Sequence, residues 1–102
     1  MDGSEWILGV IMDIRLDHIG IAVTNLDEGE KFWNLLGLIK QGDDEEVTEQ
    51  GVITRFIPIG VKPQKPAMIE LLEPTGDETP IGRFIKKRGT GIQQICFQVD
   101  DI

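Results

Sequence analysis

His18 is the chain's only histidine, and the residues around it give it a definite setting. It stands in Leu16-Asp17-His18-Ile19-Gly20-Ile21-Ala22-Val23, an apolar and β-branched run that suits a buried strand. Side chains alternate along a strand, so Leu16, His18, Gly20 and Ala22 share one face while Ile19, Ile21 and Val23 share the other. Glu70 lies in a second such run, Ala67 to Leu72, where Met68, Glu70 and Leu72 point together, and a carboxylate among apolar neighbours needs a partner. In a third run, roughly Gly91 to Val99, the side chains of Gln94, Cys96 and Gln98 face one way. Ile95, Phe97 and Val99 form the opposite, apolar face. An imidazole nitrogen (His18), a carboxylate oxygen (Glu70) and an amide oxygen (Gln94) drawn from three strands make a plausible ligand set for a divalent metal. Imidazole and carboxylate suit Zn, Co, Ni or Mn, and the sequence does not choose among them. Each residue also has a plainer role open to it: His18 as a hydrogen-bonded structural histidine, Glu70 as an edge-strand charge, Gln93-Gln94 as an ordinary polar pair.

Regular elements must carry these residues to one place. After the first strand, Thr24-Asn25 supplies polar breakers and a helix cap; Asn25 is followed three residues later by Glu28, and Leu26, Phe32, Trp33, Leu35 and Leu36 recur at helical spacing until Gly37. Leu38 to Gln41 is expected to add a short strand. Asp43-Asp44-Glu45-Glu46, a like-charge cluster, belongs in an exposed loop or at an edge. Residues 52 to 59 read as a strand in which Pro58 must lie near the end or at an edge. Gly60 to Pro66 is then a hairpin connection to the strand that bears Glu70, and Pro74-Thr75-Gly76-Asp77 is a turn. Thr79 caps and Pro80 opens a second helix, with Ile81, Phe84 and Ile85 as its apolar stripe and Gly89 as its stop. Lys86-Lys87-Arg88 fill the last turn, where the helix dipole favours cations; pairing with an anionic ligand's phosphates is the alternative role.

An internal repeat links the first and last strands. With a period of 76 residues, His18-Ile19-Gly20-Ile21-Ala22-Val23 aligns with Gln94-Ile95-Cys96-Phe97-Gln98-Val99, apolar residues matching at the second, fourth and sixth places. Gln94 occupies the repeat position of His18. The chain thus reads as one complete module followed by the first strand of a copy.

Composition narrows the class of partner. The 102 residues suit a single domain, and 40% hydrophobic with 27% charged is ordinary for a globular protein. Ten Lys and Arg against 18 Asp and Glu give a net charge of −8, which repels nucleic-acid phosphates and anionic membranes. Trp6 to Met12 is too short an apolar run to cross a bilayer and lacks the basic flank of a signal peptide, so no targeting segment is read. Residues 1 to 11 are taken as an N-terminal extension and 12 to 102 as the domain. Cys96, the sole cysteine, excludes an intrachain disulfide and reads as a buried thiol in a reducing cytoplasm. No Gly-rich phosphate loop or nucleophile elbow is present.

Several strings, taken in order, resemble methylmalonyl-CoA epimerases of the vicinal-oxygen-chelate (glyoxalase/bleomycin resistance/dioxygenase) superfamily. They are Leu16 to Val23, Glu70-Leu71-Leu72-Glu73-Pro74, Pro80 to Gly89 and Gly91 to Ile102, together about half the chain; lactoylglutathione lyase-like enzymes share only the scaffold and metal positions. The resemblance implies an α+β fold of βαβββ modules, here one module and the opening strand of a second, whose curled sheets enclose a divalent metal. It implies ligand roles for His18 and Glu70. Where the family reads His-His-Ile this chain has Gln93-Gln94-Ile95, so Gln94 would coordinate through a neutral, weaker amide oxygen. The family's fourth ligand, a Glu late in the second module, has no counterpart in the 102 residues, and a complete site would draw on another subunit.

The reaction implied is proton removal and return at the carbon between the thioester and carboxylate of an acyl-CoA substrate. Its catalytic bases are not identified: Thr54 stands near where some members place a second Glu, and Glu49-Gln50 and the 43–46 cluster could offer a general base, with a solvated face as their plainer reading. The alternative is a non-catalytic protein of the same fold that binds a small ligand or serves as a scaffold. An open sheet edge and apolar face lead us to expect a homodimer.

Overall fold

The computed structural model describes residues 13–60 and 65–99. The expected extension over residues 1 to 11 and most of the hairpin connection from Gly60 to Pro66 lie outside the described residues. The elements follow as β1 (Ile14–Ala22), α1 (Leu26–Leu35), β2 (Glu45–Val47), a single 3-10 turn (Thr48–Gln50), β3 (Val52–Ile59), β4 (Ala67–Pro74), α2 (Pro80–Arg88) and β5 (Gly91–Val99). The five strands form one sheet in the order β2-β3-β4-β1-β5. Within it β1 runs parallel to β4 and antiparallel to β5, which makes β5 an edge strand. The α+β class and the βαβββ order followed by one further strand are as read from the sequence.

Both helices start where the sequence places their caps. The Asn25 side chain accepts from Glu28 N at 3.0 Å, and Leu26 N donates to Glu73 Oε1 at 2.8 Å, which ties the start of α1 to the end of β4. Thr79 Oγ1 accepts from Gly82 N at 3.1 Å, with Pro80 in the first turn where its missing N–H costs nothing. α1 covers one sheet face over a core of Val23, Leu26, Ile57, Ile69 and Leu71, with Ile19, Ile21 and Trp33 packed against it. α2 closes one end of the opposite face, where Ile81, Phe84 and Ile85 meet Ala22, Val52 and Leu72. The two faces of β1 are thus divided as alternation requires: Ile19 and Ile21 under α1, His18 and Gly20 on the open, concave side.

Two expectations, the strand at Leu38 to Gln41 and a buried Cys96, need correction. Leu38 to Gln41 is not a strand; Gln41 N instead donates to Phe56 O at 2.8 Å, a single loop-to-strand bond. The acidic cluster lies in an exposed loop and at an edge, as expected: Glu45 and Glu46 form the edge strand β2, while the Asp44 carboxylate turns toward Arg55. Cys96 is half-buried rather than buried, because β5 has a neighbour on one side only. Ile95, Phe97 and Val99, the apolar face read on this strand, are 52–61% exposed, since α1 packs on β3 and β4 and nothing among the described residues covers β5. Pro58 lies past the three residues of β3 that pair with β2, on a stretch with no strand on that side.

Asp44 is drawn in by Arg55, which is 7% exposed and was unremarkable in the sequence. Its guanidinium donates through Nε and Nη2 to both Asp44 carboxylate oxygens at 2.7 Å, and through Nη1 to Glu30 at 2.8 Å and Asp27 at 2.9 Å. One cation therefore joins β3, α1 and the loop before β2. Bidentate bonding by Asp44 holds Arg55 well above the ordinary guanidinium range against the opposing effect of burial, and in return holds the Asp44 carboxyl below its usual value. A carboxyl whose folded-state pKa is depressed stabilises fully above its unfolded value, about 3.9, and loses that contribution as pH falls through the folded-state value. Asp44→Asn is accordingly expected to cost about 1.5–3 kcal/mol at pH 7 by urea denaturation, with the gap from wild type closing below about pH 4. A gap that stayed constant down to pH 2 would show that Asp44 does not act through its charge.

Candidate metal and substrate site

The concave face takes its residues from neighbouring rows of the sheet. Glu70 of β4, Gly20 of β1 and Gln94 of β5 are successive partners across three strands, and His18 lies one row away, opposite Met68 and Cys96. Gly20 makes the convergence possible. A Cβ at this buried position would lie 2.7 Å from Gln94 Cγ and 3.2 Å from a Leu72 methyl, so the side chains flanking it close over the gap that glycine leaves.

Two bulges in the β1–β5 ladder aim the side chains. Between Leu16 and His18 the register slips, leaving Asp17 as the extra residue on β1; between Gly20 and Ile21 it slips back, with Gln93 extra on β5. Strict alternation would send Asp17 to the face opposite His18. The bulge brings it round, and its Oδ2 lies 2.8 Å from His18 Nδ1. The second bulge puts both Gln93 and Gln94 on the lining of one hollow of about 380 Å³, together with His18, Thr54, Glu70 and Ile81.

His18 is thereby fixed in one working orientation. With its Nδ1 proton donated to Asp17, Nε2 carries a lone pair; it accepts from Gln94 Nε2 at 3.2 Å and lies 3.7 Å from Glu70 Oε1. The hydrogen bond from His18 holds the Asp17 carboxyl below its ordinary range. Glu70 moves the other way: burial pushes its carboxyl up, His18 lowers it, and the negative charge of Glu45 raises it further. A cation at the hollow would reverse that penalty.

All three sequence-predicted ligands, His18, Glu70 and Gln94, are brought together. Donor separations of 3.2 and 3.7 Å suit ligands sharing a metal at about 2.0–2.2 Å, once the Gln94 amide turns its oxygen inward. The histidine with a carboxylate on its far nitrogen is the arrangement that supports metal ligation. Among the described residues no group of three or more His, Cys, Asp and Glu side chains is placed to hold a metal. Asp17 and Gly20 were not singled out as site residues by the sequence. Asp17 adjacent to the only histidine was a usable signal, but the bulge that makes it count was not visible.

The sequence matches the Glyoxalase/Bleomycin resistance protein/Dioxygenase superfamily over residues 17–102. The chain belongs to this superfamily. It is 41% identical over 98 residues to a mitochondrial methylmalonyl-CoA epimerase of Dictyostelium discoideum, covering 94% of this chain and 55% of the relative. To the mitochondrial methylmalonyl-CoA epimerase of Bos taurus it is 34% identical, covering 98% of this chain and 52% of the relative. Among solved structures it is similar to a Streptomyces coelicolor methylmalonyl-CoA epimerase variant in complex with 2-nitronate-propionyl-CoA, with TM-score 0.72, 33% identity, and coverage of 81% of this chain and 60% of that one. The chain spans about half the length of the curated relatives it matches. Among its described residues no helix is long and apolar enough to cross a membrane.

The role given to Gly20 has a direct test. Gly20→Ala is expected to fold with stability within about 1 kcal/mol of wild type, since the atom displaced is the flexible Gln94 side chain. The nuclear Overhauser contact between the Gln94 side-chain amide and the His18 ring should vanish; its survival would show that Gly20 does not set their approach.

Proposed function

We propose that this chain provides a divalent-metal site of the methylmalonyl-CoA epimerase type, in which His18, Glu70 and Gln94 are the ligands and an acyl-CoA is the substrate. The observation that carries the reading is the His18 imidazole, locked by Asp17 so that its free nitrogen faces Glu70 and Gln94. Similarity to epimerases, one of them solved with a nitronate analogue of an acyl-CoA, supports the choice of substrate class.

When bound, a cation such as Co, Zn, Ni or Mn would act as a Lewis acid toward the oxygens of the substrate's thioester and carboxylate, easing removal of the proton between them. The chain's own residues hold and orient. Asp17 keeps His18 in the ligating tautomer, Glu70 supplies the one negative charge, and Gly20 leaves room for Gln94. The apolar lining from Val52, Leu72, Pro80 and Ile81 lowers the local dielectric, which strengthens charge stabilisation. A second reading, a ligand-binding protein without turnover, is favoured by Gln94 standing where the family carries histidine.

We further propose that two copies associate, since β5 offers an open edge with no charged residue or proline along Gly91–Val99 and an apolar stripe beside it. A free thiol at Cys96 is consistent with the cytoplasmic setting suggested by the sequence.

Metal-stripped protein titrated with Co²⁺ is expected to take up one equivalent per chain. His18→Ala and Glu70→Ala should each lower affinity at least tenfold, Asp17→Asn by about 10–100-fold, and Gln94→His should raise it. Wild-type protein that binds no Co²⁺, or binds it equally well without His18, would overturn the metal reading. For association, light scattering at micromolar concentration should give a dimer mass, and a monomer there would remove that part of the proposal.

A further inference from the structure

Proton transfer needs a base that is not itself a ligand and that stands one substrate width from the cation. The concave face offers few. Asp17 is hydrogen-bonded to His18, Glu70 faces the same ring, and Asp44 is bound to Arg55. Thr54 lines the hollow, but its hydroxyl donates to the Glu45 backbone carbonyl at 3.2 Å and cannot accept a carbon-bound proton at neutral pH.

Directly across from Thr54, on edge strand β2, is Glu45. Cross-strand partners share a face, their Cβ atoms about 4.5–5.5 Å apart, so Glu45 stands on the concave side beside a residue that lines the site. It also borders an adjoining hollow whose lining includes Asp17, Phe56, Lys65 and Met68, so it sits on the rim between the two. Its negative charge is felt by the Glu70 carboxyl, in keeping with that placement. The α2 side of the site is different: Val52, Leu72, Pro80 and Ile81 bear no ionisable group.

We propose that Glu45 is the base this chain contributes to proton exchange on an acyl-CoA, and that it acts from one face only; the proposal rests on the acyl-CoA reading above. The C–H proton passes to a Glu45 carboxylate oxygen, and the C–H electron pair becomes the enolate, its charge spread onto the thioester oxygen. The resulting carboxylic acid on the exposed rim exchanges its proton with water and returns one to the same face. The product carries a solvent hydrogen with unchanged configuration.

The test uses the Co²⁺-loaded protein and chiral methylmalonyl-CoA in D₂O, following deuterium uptake by mass and configuration by chiral analysis. Uptake is expected to outpace inversion at least tenfold, to fall at least tenfold in Glu45→Gln, and to recover in part in Glu45→Asp. Glu46→Gln, at the neighbouring β2 position that alternates to the other face, should leave uptake unchanged, and all variants should hold equal Co²⁺. Glu45→Gln retaining more than a tenth of wild-type uptake, or inversion keeping pace with uptake, overturns the role of Glu45 while leaving the acyl-CoA reading standing. No uptake by Co²⁺-loaded wild type overturns both.

Discussion

The site depends on the pairing of β1, which has β4 parallel on one side and β5 antiparallel on the other. Because backbone hydrogen bonds fix this register, the positions of His18, Glu70 and Gln94 follow from it before any side chain chooses a rotamer. The arrangement is also economical of entropy. Side chains held on three adjacent strands lose less freedom on binding a cation than the same groups on loops. The bulge at Asp17 breaks the regular ladder where the regular ladder would aim its carboxylate away from His18.

A second constraint keeps this sheet in place. Arg55 reaches Asp44, Asp27 and Glu30 from the middle of β3, so the helix over one sheet face and the loop leading to the edge strand share an anchor. Three carboxylates around one guanidinium leave the cluster net negative, an arrangement that works because Asp27 is largely solvated while Glu30 and Asp44 are not. The consequence reaches the site. β2 and its Glu45 are positioned by the residue immediately before it, Asp44, being held to the core.

Elements with strong local signals were legible from sequence: Asn25 and Thr79 as caps, Pro80 as the helix opener, the alternation that put His18 and Ile19 on opposite faces, and the 76-residue repeat that paired His18 with Gln94. The repeat equivalence has a spatial meaning, since those two side chains now touch. What was not legible depends on contacts distant in sequence. Arg55 reads as one more strand charge until Asp44 and Glu30 are brought to it. Asp17 reads as facing away until a bulge turns it. The apolar face of β5 was legible from alternation, but the pattern reports hydrophobicity, not whether an element exists to cover it. Leu38 to Gln41 had strand-like composition but only one bond to a strand, from Gln41 to Phe56.

In the proposed ligand set, the Gln94 amide in place of an imidazole would shift a balance between holding a cation and using it. With neutral His18 and Gln94 and a single carboxylate, Glu70, a divalent ion at this site would keep a net charge near +1, carried into a hollow with apolar walls. An amide donates less electron density than an imidazole, so the ion is held less tightly and stays the stronger Lewis acid toward a developing enolate. Burial already penalises the Glu70 charge, so the attraction of the cation must first repay that desolvation before it contributes net affinity. The proposed donor set would therefore favour charge stabilisation of an anionic substrate over tight retention of metal. An anionic acyl-CoA would supply the missing negative charge itself, so metal and substrate are expected to bind cooperatively, each completing a charge balance that the protein leaves open.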